Sequence, residues 1–267
     1  MHPLIRYIRK KALPTAFCPG CGNGIIMKAM FEAFDMKGID RLDNVVFVSG
    51  IGCAAWIPSP HIDADSIHTL HGRAIPVATG VKLSNPQLEV IVISGDGDLI
   101  GIGGNHLIHA ARRNMDLLVI MVNNMIYGMT GGQVSPTTPL DVKTTTTPYG
   151  NIEVPFDTCL LVDKLGANYV ARWTVGHYLR LRDSIIHALD KRGFRFIEVI
   201  SQCTARVCSR LGISAAECIK MLMRKSVSIK RVKDPYNEIV KGNIVVGIYA
   251  DRDNPSYIER MRKIVSS

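Results

Sequence analysis

Four short, mainly apolar runs, each followed by a turn that contains glycine, asparagine or cysteine, constrain the fold most strongly. They cover residues 45–48, 89–93, 117–122 and 196–200. Continuous apolar runs of this length are typical of strands buried on both faces, as in a parallel sheet. Helical patterns lie between them at residues 22–34, 103–113 and 176–192. The alternation predicts a doubly wound α/β domain with a mainly parallel sheet, whose ligands collect at the carboxyl ends of the strands.

Length and composition are those of a globular protein. The chain has 267 residues, of which 47% are hydrophobic and 21% charged, so one large domain with a full core is expected. We predict a single domain over residues 1–267, with a core at about 1–208 and a basic C-terminal appendage at about 209–267. The sequence shows no signal peptide and no apolar run of the roughly 18–20 residues that a membrane span needs. A cytoplasmic protein without a membrane partner is expected.

The net charge of +9 needs a separate interpretation. Its densest basic stretch is residues 219–233, which contains six lysines and arginines and no acid. Such a stretch is most often solvated surface, and the alternative is a binding patch for an acidic protein. Nucleic acid is not expected as a partner, because no recognition module with base-stacking aromatics accompanies the charge.

An aspartate between two glycines follows one predicted strand, and a pair of asparagines follows the next. Asp96 lies between Gly95 and Gly97, and the pair ends at Asn124. Glycine allows close approach of a diphosphate and positive φ, while carboxylate and amide oxygens suit a divalent cation bridging phosphate oxygens. The carbonyl of Ile126 could add a third ligand. Two turns that match by chance remain the alternative, since glycine-flanked aspartates are common.

The seven cysteines do not suggest a disulfide framework, because their number is odd and no secretory signal precedes them. They are residues 18, 21, 53, 159, 203, 208 and 218. The Cys18/Cys21 pair comes before any strand, which disfavours a thioredoxin-like dithiol and leaves zinc or an iron–sulfur cluster open. Cys53 and Cys203 follow predicted strands, so the fold could bring them to the same edge. Cys159 and Cys218 lie in apolar, helix-like surroundings and are expected to be inert core thiols.

A resemblance to known enzymes narrows these alternatives. The glycine–aspartate–glycine and double-asparagine arrangement resembles the motif of thiamine-diphosphate enzymes. Residues 127–139 (YGMTGGQVSPTTP), with residues 102–106 (IGGNH) and 112–114 (RRN), resemble the β subunits of 2-oxoacid:ferredoxin oxidoreductases. The 2-oxoglutarate branch is the most similar, and the fold implied is the thiamine-diphosphate-binding type of its diphosphate side.

The resemblance implies three cofactors, which are thiamine diphosphate, Mg²⁺ and a [4Fe–4S] cluster. The implied Mg²⁺ ligands are Asp96, Asn124 and the Ile126 carbonyl. The implied cofactor contacts are Ile51, Gly52, Cys53, Ala54, Gly97, Asp98, Gly128 and Met129. The implied cluster ligands are Cys18, Cys21, Cys53 and Cys203. One departure concerns residues 204–208, where relatives usually have a proline-containing aromatic segment, and it makes Cys208 a rival fourth ligand.

A histidine and an arginine in the loop at residues 68–76 also match the family and would face the cofactor. Arg73 is suited to bidentate hydrogen bonding with a carboxylate or phosphate. His71 is a candidate catalytic group. The alternative for His71 is a structural histidine with its ring nitrogens bonded to backbone.

The implied reaction is oxidative decarboxylation of a 2-oxoacid with coenzyme A to acyl-CoA and CO₂, with electrons passing through the cluster to ferredoxin. The glutamate that activates the thiamine pyrimidine is expected on an α subunit, which in some relatives is fused to a γ domain. Alternatives are a pyruvate or branched-chain 2-oxoacid enzyme, a non-redox thiamine decarboxylase or synthase, and an electron-transfer or scaffolding subunit that has kept the cluster alone.

Overall fold

A computed structural model of the chain describes residues 2–266, and its centre is an eight-stranded sheet. A separate two-stranded hairpin lies in the long loop that follows the fourth strand. The strands are β1 (Val45–Ser49), β2 (Asp65–His68), β3 (Glu89–Gly95), β4 (Leu117–Asn123), β5 (Ile126–Tyr127), β6 (Gln133–Val134), β7 (Tyr169–Thr174), β8 (Phe194–Ile200), β9 (Ser226–Ser228) and β10 (Ile244–Asp251).

The strand order in the large sheet is β2-β1-β3-β4-β8-β7-β10-β9. The six strands from β2 to β7 in that order pair in parallel, and β10 joins β7 antiparallel. In the register of β3 and β4, Gly95 is paired with Val122, and in that of β4 and β8, Asn123 is paired with Ile200. The residues that follow these strands therefore lie side by side at one edge of the sheet.

Helices cover both faces of the sheet, as the doubly wound prediction requires. They are α1 (Gly22–Met36), α2 (Ala74–Ser84), α3 (Gly104–Arg112), α4 (Thr158–Lys164), α5 (Tyr178–Asp190), α6 (Ser209–Leu211), α7 (Ala215–Arg224), α8 (Pro235–Val240) and α9 (Tyr257–Val265). Neighbouring strand residues point to opposite faces, so Phe47 packs in the cluster that contains α1 and Val48 in the cluster that contains α2. Both residues are fully buried, which confirms the reason for the continuous apolar runs.

The predicted α/β fold is confirmed, and the four predicted strands and three predicted helices are all present within one to two residues of their expected bounds. The prediction missed a π-helix at Gly97–Ile102 that begins directly after Asp96. It also missed β7, because Arg172 interrupts the apolar pattern in the middle of that strand although its side chain is buried.

The C-terminal segment, expected as an appendage, is partly built into the main sheet. Strand β10 pairs with β7, and Ile258 of α9 packs in the core cluster that contains α2.

Helix α7 begins at a capping box in which Ser214 and Glu217 bond to each other's backbone N–H groups. In the part of the chain that the structure describes, no helix is long and apolar enough to cross a bilayer.

Candidate active site

Asp96 lies at the first position after β3, where its carboxylate is buried. Thr137 donates a hydrogen bond from Oγ1 to Asp96 Oδ2 at 2.7 Å. Burial raises the pKa of the Asp96 carboxyl, whereas the hydroxyls of Ser135 and Thr137 and the backbone of Asn124 act in the opposite direction. The predicted magnesium carboxylate therefore faces donors from the next strand end and from the long loop that follows it.

The two asparagines after β4 have different environments. Asn123 is buried, and its Nδ2 donates to Glu198 Oε1 at 2.7 Å. Asn124 is partly exposed, and its Oδ1 accepts a hydrogen bond from the Ile126 N–H at 3.1 Å. Only Asn124 thus keeps an amide oxygen at the surface of the site. The predicted ligand pair Asp96 and Asn124 lies at adjacent strand ends.

Gly97 and Gly128 at this edge are required by close contacts and not by backbone angle. We expected positive φ around Asp96, but neither Gly95 nor Gly97 is among the glycines with positive φ, because one ends a strand and the other begins a helix. A Cβ atom on Gly97 would lie 2.1 Å from the Tyr127 ring, and the Tyr127 hydroxyl donates to the Gly97 carbonyl at 3.2 Å. A Cβ atom on Gly128 would lie 3.2 Å from the sulfur of Cys203.

Asp98 has a role that the sequence did not reveal. Its Oδ1 accepts hydrogen bonds from the backbone N–H groups of Ile51 at 3.1 Å and Gly72 at 2.7 Å. Its Oδ2 accepts from the Ser94 hydroxyl at 2.8 Å. The carboxylate therefore joins the loops after β1 and β2 to the end of β3. Both oxygens of this buried carboxylate accept hydrogen bonds from protein donors, so the side chain holds loops of the chain together.

The side chains of His71 and Arg73 have different contacts although the two residues share a loop. Nδ1 of His71 lies 2.7 Å from Asp98 Oδ1, and its ring meets the Tyr127 ring edge-on with 6.4 Å between centroids. Arg73 is exposed, and it donates to the Gly72 carbonyl at 3.2 Å. Partial burial and the charge of Arg73 both lower the pKa of His106. The structure thus places His71 at the site and Arg73 beside His106 at the start of α3.

The four cysteines predicted to hold a cluster come from three segments that the fold ties together. Gln202 donates from Nε2 to the Gly20 carbonyl at 2.7 Å, which joins the Cys203 turn to the Cys18/Cys21 loop. Asn23 donates to the Cys53 carbonyl at 2.9 Å, which joins the start of α1 to the turn after β1. These two bonds gather all four cysteines at one edge of the sheet.

The cysteine thiols interact with one another electrostatically. Partial burial and the charges of Cys203, Cys21 and Cys18 raise the pKa of Cys53 to about 11, and burial also raises the pKa of Cys21. In residues 2–266, no group of three or more histidine, cysteine, aspartate or glutamate side chains has the geometry of a formed metal site. The residues nevertheless fit an iron–sulfur cluster by kind and location, because thiolate sulfur is its donor and the four thiols are mutual neighbours.

The remaining cysteines include one error of prediction. Cys208 and Cys218 form a disulfide, so the expectation that Cys218 is an inert core thiol was wrong. The fold brings the π-helix at Thr204–Cys208 against α7, which spacing alone could not show. Cys208, the rival fourth ligand, is bonded to Cys218 in this structure. Cys159 is buried, and burial raises its pKa well above the ordinary value.

A cavity of about 580 Å³ opens beside the site, between the end of β8, the long loop after β4 and the C-terminal segment. Asn124 and Cys203 both contribute to its wall. Its lining also includes four exposed cationic side chains, Lys143, Arg206, Arg210 and Lys225, besides the buried Arg172.

Comparison with known proteins accounts for this arrangement. The sequence family described as "Thiamine pyrophosphate enzyme, C-terminal TPP binding domain" matches residues 50–199. The 2-oxoglutarate synthase subunit KorB of Methanocaldococcus jannaschii is 48% identical over 99% of this chain and 98% of its own length. The chain belongs to the β subunits of 2-oxoacid:ferredoxin oxidoreductases. It lies on the 2-oxoglutarate branch and is a subunit of an oxidoreductase, as the loop motif predicted.

Further relatives place the chain within this family. The 2-oxoacid:ferredoxin oxidoreductase subunit beta of Saccharolobus solfataricus is 45% identical over 70% of this chain and 61% of its own length. A solved structure of 2-oxoglutarate:ferredoxin oxidoreductase from Magnetococcus marinus, with 2-oxoglutarate, coenzyme A and succinyl-CoA bound, matches with a TM-score of 0.86 at 32% identity. The match covers 100% of this chain and 90% of that one, which confirms the fold over its whole length.

Proposed function

We propose that this chain holds thiamine diphosphate through Mg²⁺ and carries a [4Fe–4S] cluster, and that it takes part in the oxidative decarboxylation of 2-oxoglutarate with coenzyme A. The observation that carries the proposal is the shared sheet edge, where Asp96 and Asn124 lie beside four neighbouring thiols. When bound, thiamine diphosphate would supply the chemistry of decarboxylation and the cluster a route for single electrons.

The protein groups that would hold the cation are the Asp96 carboxylate, the Asn124 amide and the Ile126 carbonyl. Oxygen donors of this kind suit Mg²⁺, which keeps its other positions for phosphate and water. The same cation site is bordered by the backbone at residues 97, 98, 128 and 129. The close approach of Gly128 to Cys203 supports a diphosphate site next to the proposed cluster.

We assign the cluster to Cys18, Cys21, Cys53 and Cys203. Cys203 is preferred to Cys208 because its charge acts on Cys21 and Cys53, while Cys208 is bonded to Cys218. Ligation deprotonates the thiols, so the raised pKa values of Cys21 and Cys53 would be overcome by the metal.

His71 is proposed as a group that borders the cofactor, held in orientation by Asp98. Its tautomer is defined by that contact, since a ring nitrogen facing a carboxylate carries the proton. Its other ring nitrogen would then remain an acceptor. Arg73 lies beside His106 and is proposed to contact a carboxylate or phosphate entering from that side.

The activating glutamate is proposed to belong to an α subunit, which in turn can carry a γ domain. Among the residues that the structure describes, Glu198 is the buried glutamate, and Arg172 and Asn123 occupy its two carboxylate oxygens. It is therefore unsuited to protonating a pyrimidine nitrogen. The chain alone should bind cofactor without turning over substrate.

Ferredoxin is the proposed electron acceptor, in the cytoplasm. The four exposed cationic side chains that line the cavity by Cys203 would attract an acidic partner to the side of the cluster. Such attraction between exposed charges is screened by salt. The Michaelis constant for the acceptor is therefore expected to rise with ionic strength.

The test is anaerobic purification of the chain alone and with its α partner. We expect iron and sulfide in the isolated chain, a rise in melting temperature on adding thiamine diphosphate with Mg²⁺, and acceptor reduction only with the partner, coenzyme A and a 2-oxoacid. Pyruvate and branched-chain 2-oxoacids serve as competing substrates. Asp96→Asn should abolish the cofactor-dependent rise, whereas Asp141→Asn, an exposed control, should retain it. Turnover by the isolated chain, or iron-free protein that decarboxylates, would contradict the proposal.

A further inference from the structure

Residues 135–139, the SPTTP part of the long loop, bring three buried hydroxyls to the edge where β3 and β4 end. Ser135 and Thr137 are 4% exposed and Thr138 is fully buried. We call these three side chains the hydroxyl clasp. Ser135 and Thr137 lie within 3.1 Å of each other through their hydroxyl oxygens, and Thr138 donates to the Met125 carbonyl at 2.6 Å.

Thr137 faces both strand ends at once. Its Oγ1 lies 2.7 Å from Asp96 Oδ2 and 2.9 Å from Asn123 Oδ1. A threonine hydroxyl has one proton, so it can donate fully to only one of these acceptors. A cation that takes the Asp96 oxygen would leave Asn123 as the acceptor, and the hydroxyl would lose no partner.

The orientation of the Asn123 amide is fixed by its second hydrogen-bond partner. Asn123 donates from Nδ2 to Glu198, and Glu198 accepts from Arg172 Nε at 2.6 Å. Because a carboxylate can only accept, it forces the amide nitrogen of Asn123 towards itself and the amide oxygen towards Thr137. All of these side chains are buried, so water does not compete with the hydrogen bonds.

We infer that the hydroxyl clasp sets the spacing of Asp96 and the Asn124–Ile126 turn for the divalent cation of a diphosphate cofactor. Thr137 is the positioning residue, and Thr138 fixes the turn through the Met125 carbonyl. The inference rests on the proposed function, because it concerns the same cation site. It gives the SPTTP segment a role distinct from that of the ligands themselves.

The test compares Thr137→Val with Thr137→Ser in the purified chain with its partner. Valine keeps the shape of threonine and removes the hydroxyl, whereas serine keeps the hydroxyl. The Mg²⁺ concentration that half-saturates thiamine diphosphate binding is measured by calorimetry, without substrate. We expect Thr137→Val to raise it by about tenfold or more, as loss of a group that orients a metal ligand does. Thr137→Ser should stay close to the unaltered protein.

The control is Thr145→Val, which removes an exposed hydroxyl of the same long loop. A purely structural role would lower the melting temperature of the cofactor-free Thr137→Val protein and leave its Mg²⁺ dependence unchanged, and that result would overturn the inference. Should Thr137→Val not fold, Thr138→Val provides the same comparison from the other side of the hydroxyl clasp. Failure of the unaltered protein to bind thiamine diphosphate with Mg²⁺ would instead overturn the proposed function.

Discussion

Gly50 and Asp98 are so close that a Cβ atom on Gly50 would lie 2.1 Å from Asp98 Oδ2. The carboxylate cannot move aside, because four protein groups hold its two oxygens. The turn after β1, which carries Cys53, is therefore pressed against the segment that carries the predicted magnesium ligand.

Gly50→Ala should lower the free energy of unfolding by about 2 kcal/mol or more, because overpacking displaces a rigid group. The matched control is Gly80→Ala in α2, where an added Cβ meets open space. That change should raise the free energy of unfolding by about 0.5–1 kcal/mol through helix propensity. Urea denaturation measures both. Equal effects of the two substitutions would contradict the close contact.

Asp98→Asn should lower the free energy of unfolding by about 2 kcal/mol, because an amide nitrogen replaces an acceptor for buried N–H and O–H donors. The exposed residue Asp141 provides a control, and Asp141→Asn should change the free energy of unfolding by less than about 0.5 kcal/mol. Both are measured by urea denaturation. If Asp98→Asn were as harmless as the control, Asp98 would not be joining the loops.

Cys53 should show an unusual pH dependence in the cluster-free chain. Only the thiolate is alkylated, so a pKa of about 11 means that its reaction with iodoacetamide keeps accelerating well above pH 9. The folded chain binds this proton more tightly than the unfolded chain does. The thiol's contribution to stability is thus complete below about pH 9 and is lost as the pH rises towards 11. Mass spectrometry of tryptic peptides measures the rates, and a plateau below pH 9 would refute the shift.

Cys203→Ser and Cys208→Ser should differ in iron content. We expect Cys203→Ser to lose most of its iron and its visible absorption, because a cluster ligand is removed. Cys208→Ser should keep both, because it breaks only the disulfide with Cys218. Iron and sulfide are determined in anaerobically purified protein. The reverse pattern would make Cys208 the ligand.

Arg172→Met should lower the free energy of unfolding by about 3–5 kcal/mol, since it leaves two buried carboxylates without their cation. Arg172 donates to Glu198 and to Asp157, each at 2.6 Å. Arg180→Met on the exposed side of α5 is the matched control and should have an effect within about 0.5 kcal/mol. Denaturant titration of both proteins provides the measurement. A small effect at Arg172 would show that water reaches the pair.

Strands β1, β3, β4 and β8 and their ends were predictable because local patterns specify them. The run at residues 117–122 is apolar since both faces of β4 are buried, and that reason does not depend on its neighbours. Arg172 shows the limit of such patterns. Its charge suggests exposure, and only its two carboxylate partners, one on α4's cap and one on β8, explain its burial.

The α/β fold, the family, and the residue types that gather after β1, β3, β4 and β8 could be recognised from the amino-acid sequence alone. Each of these follows from residues close together in the chain. Three contacts became visible only in the folded chain: Asp98 holds the Ile51 and Gly72 loops, Thr137 contacts Asp96, and Cys208 pairs with Cys218. These partners are separated by many residues, and their contact depends on strand register and loop path, which no local pattern encodes.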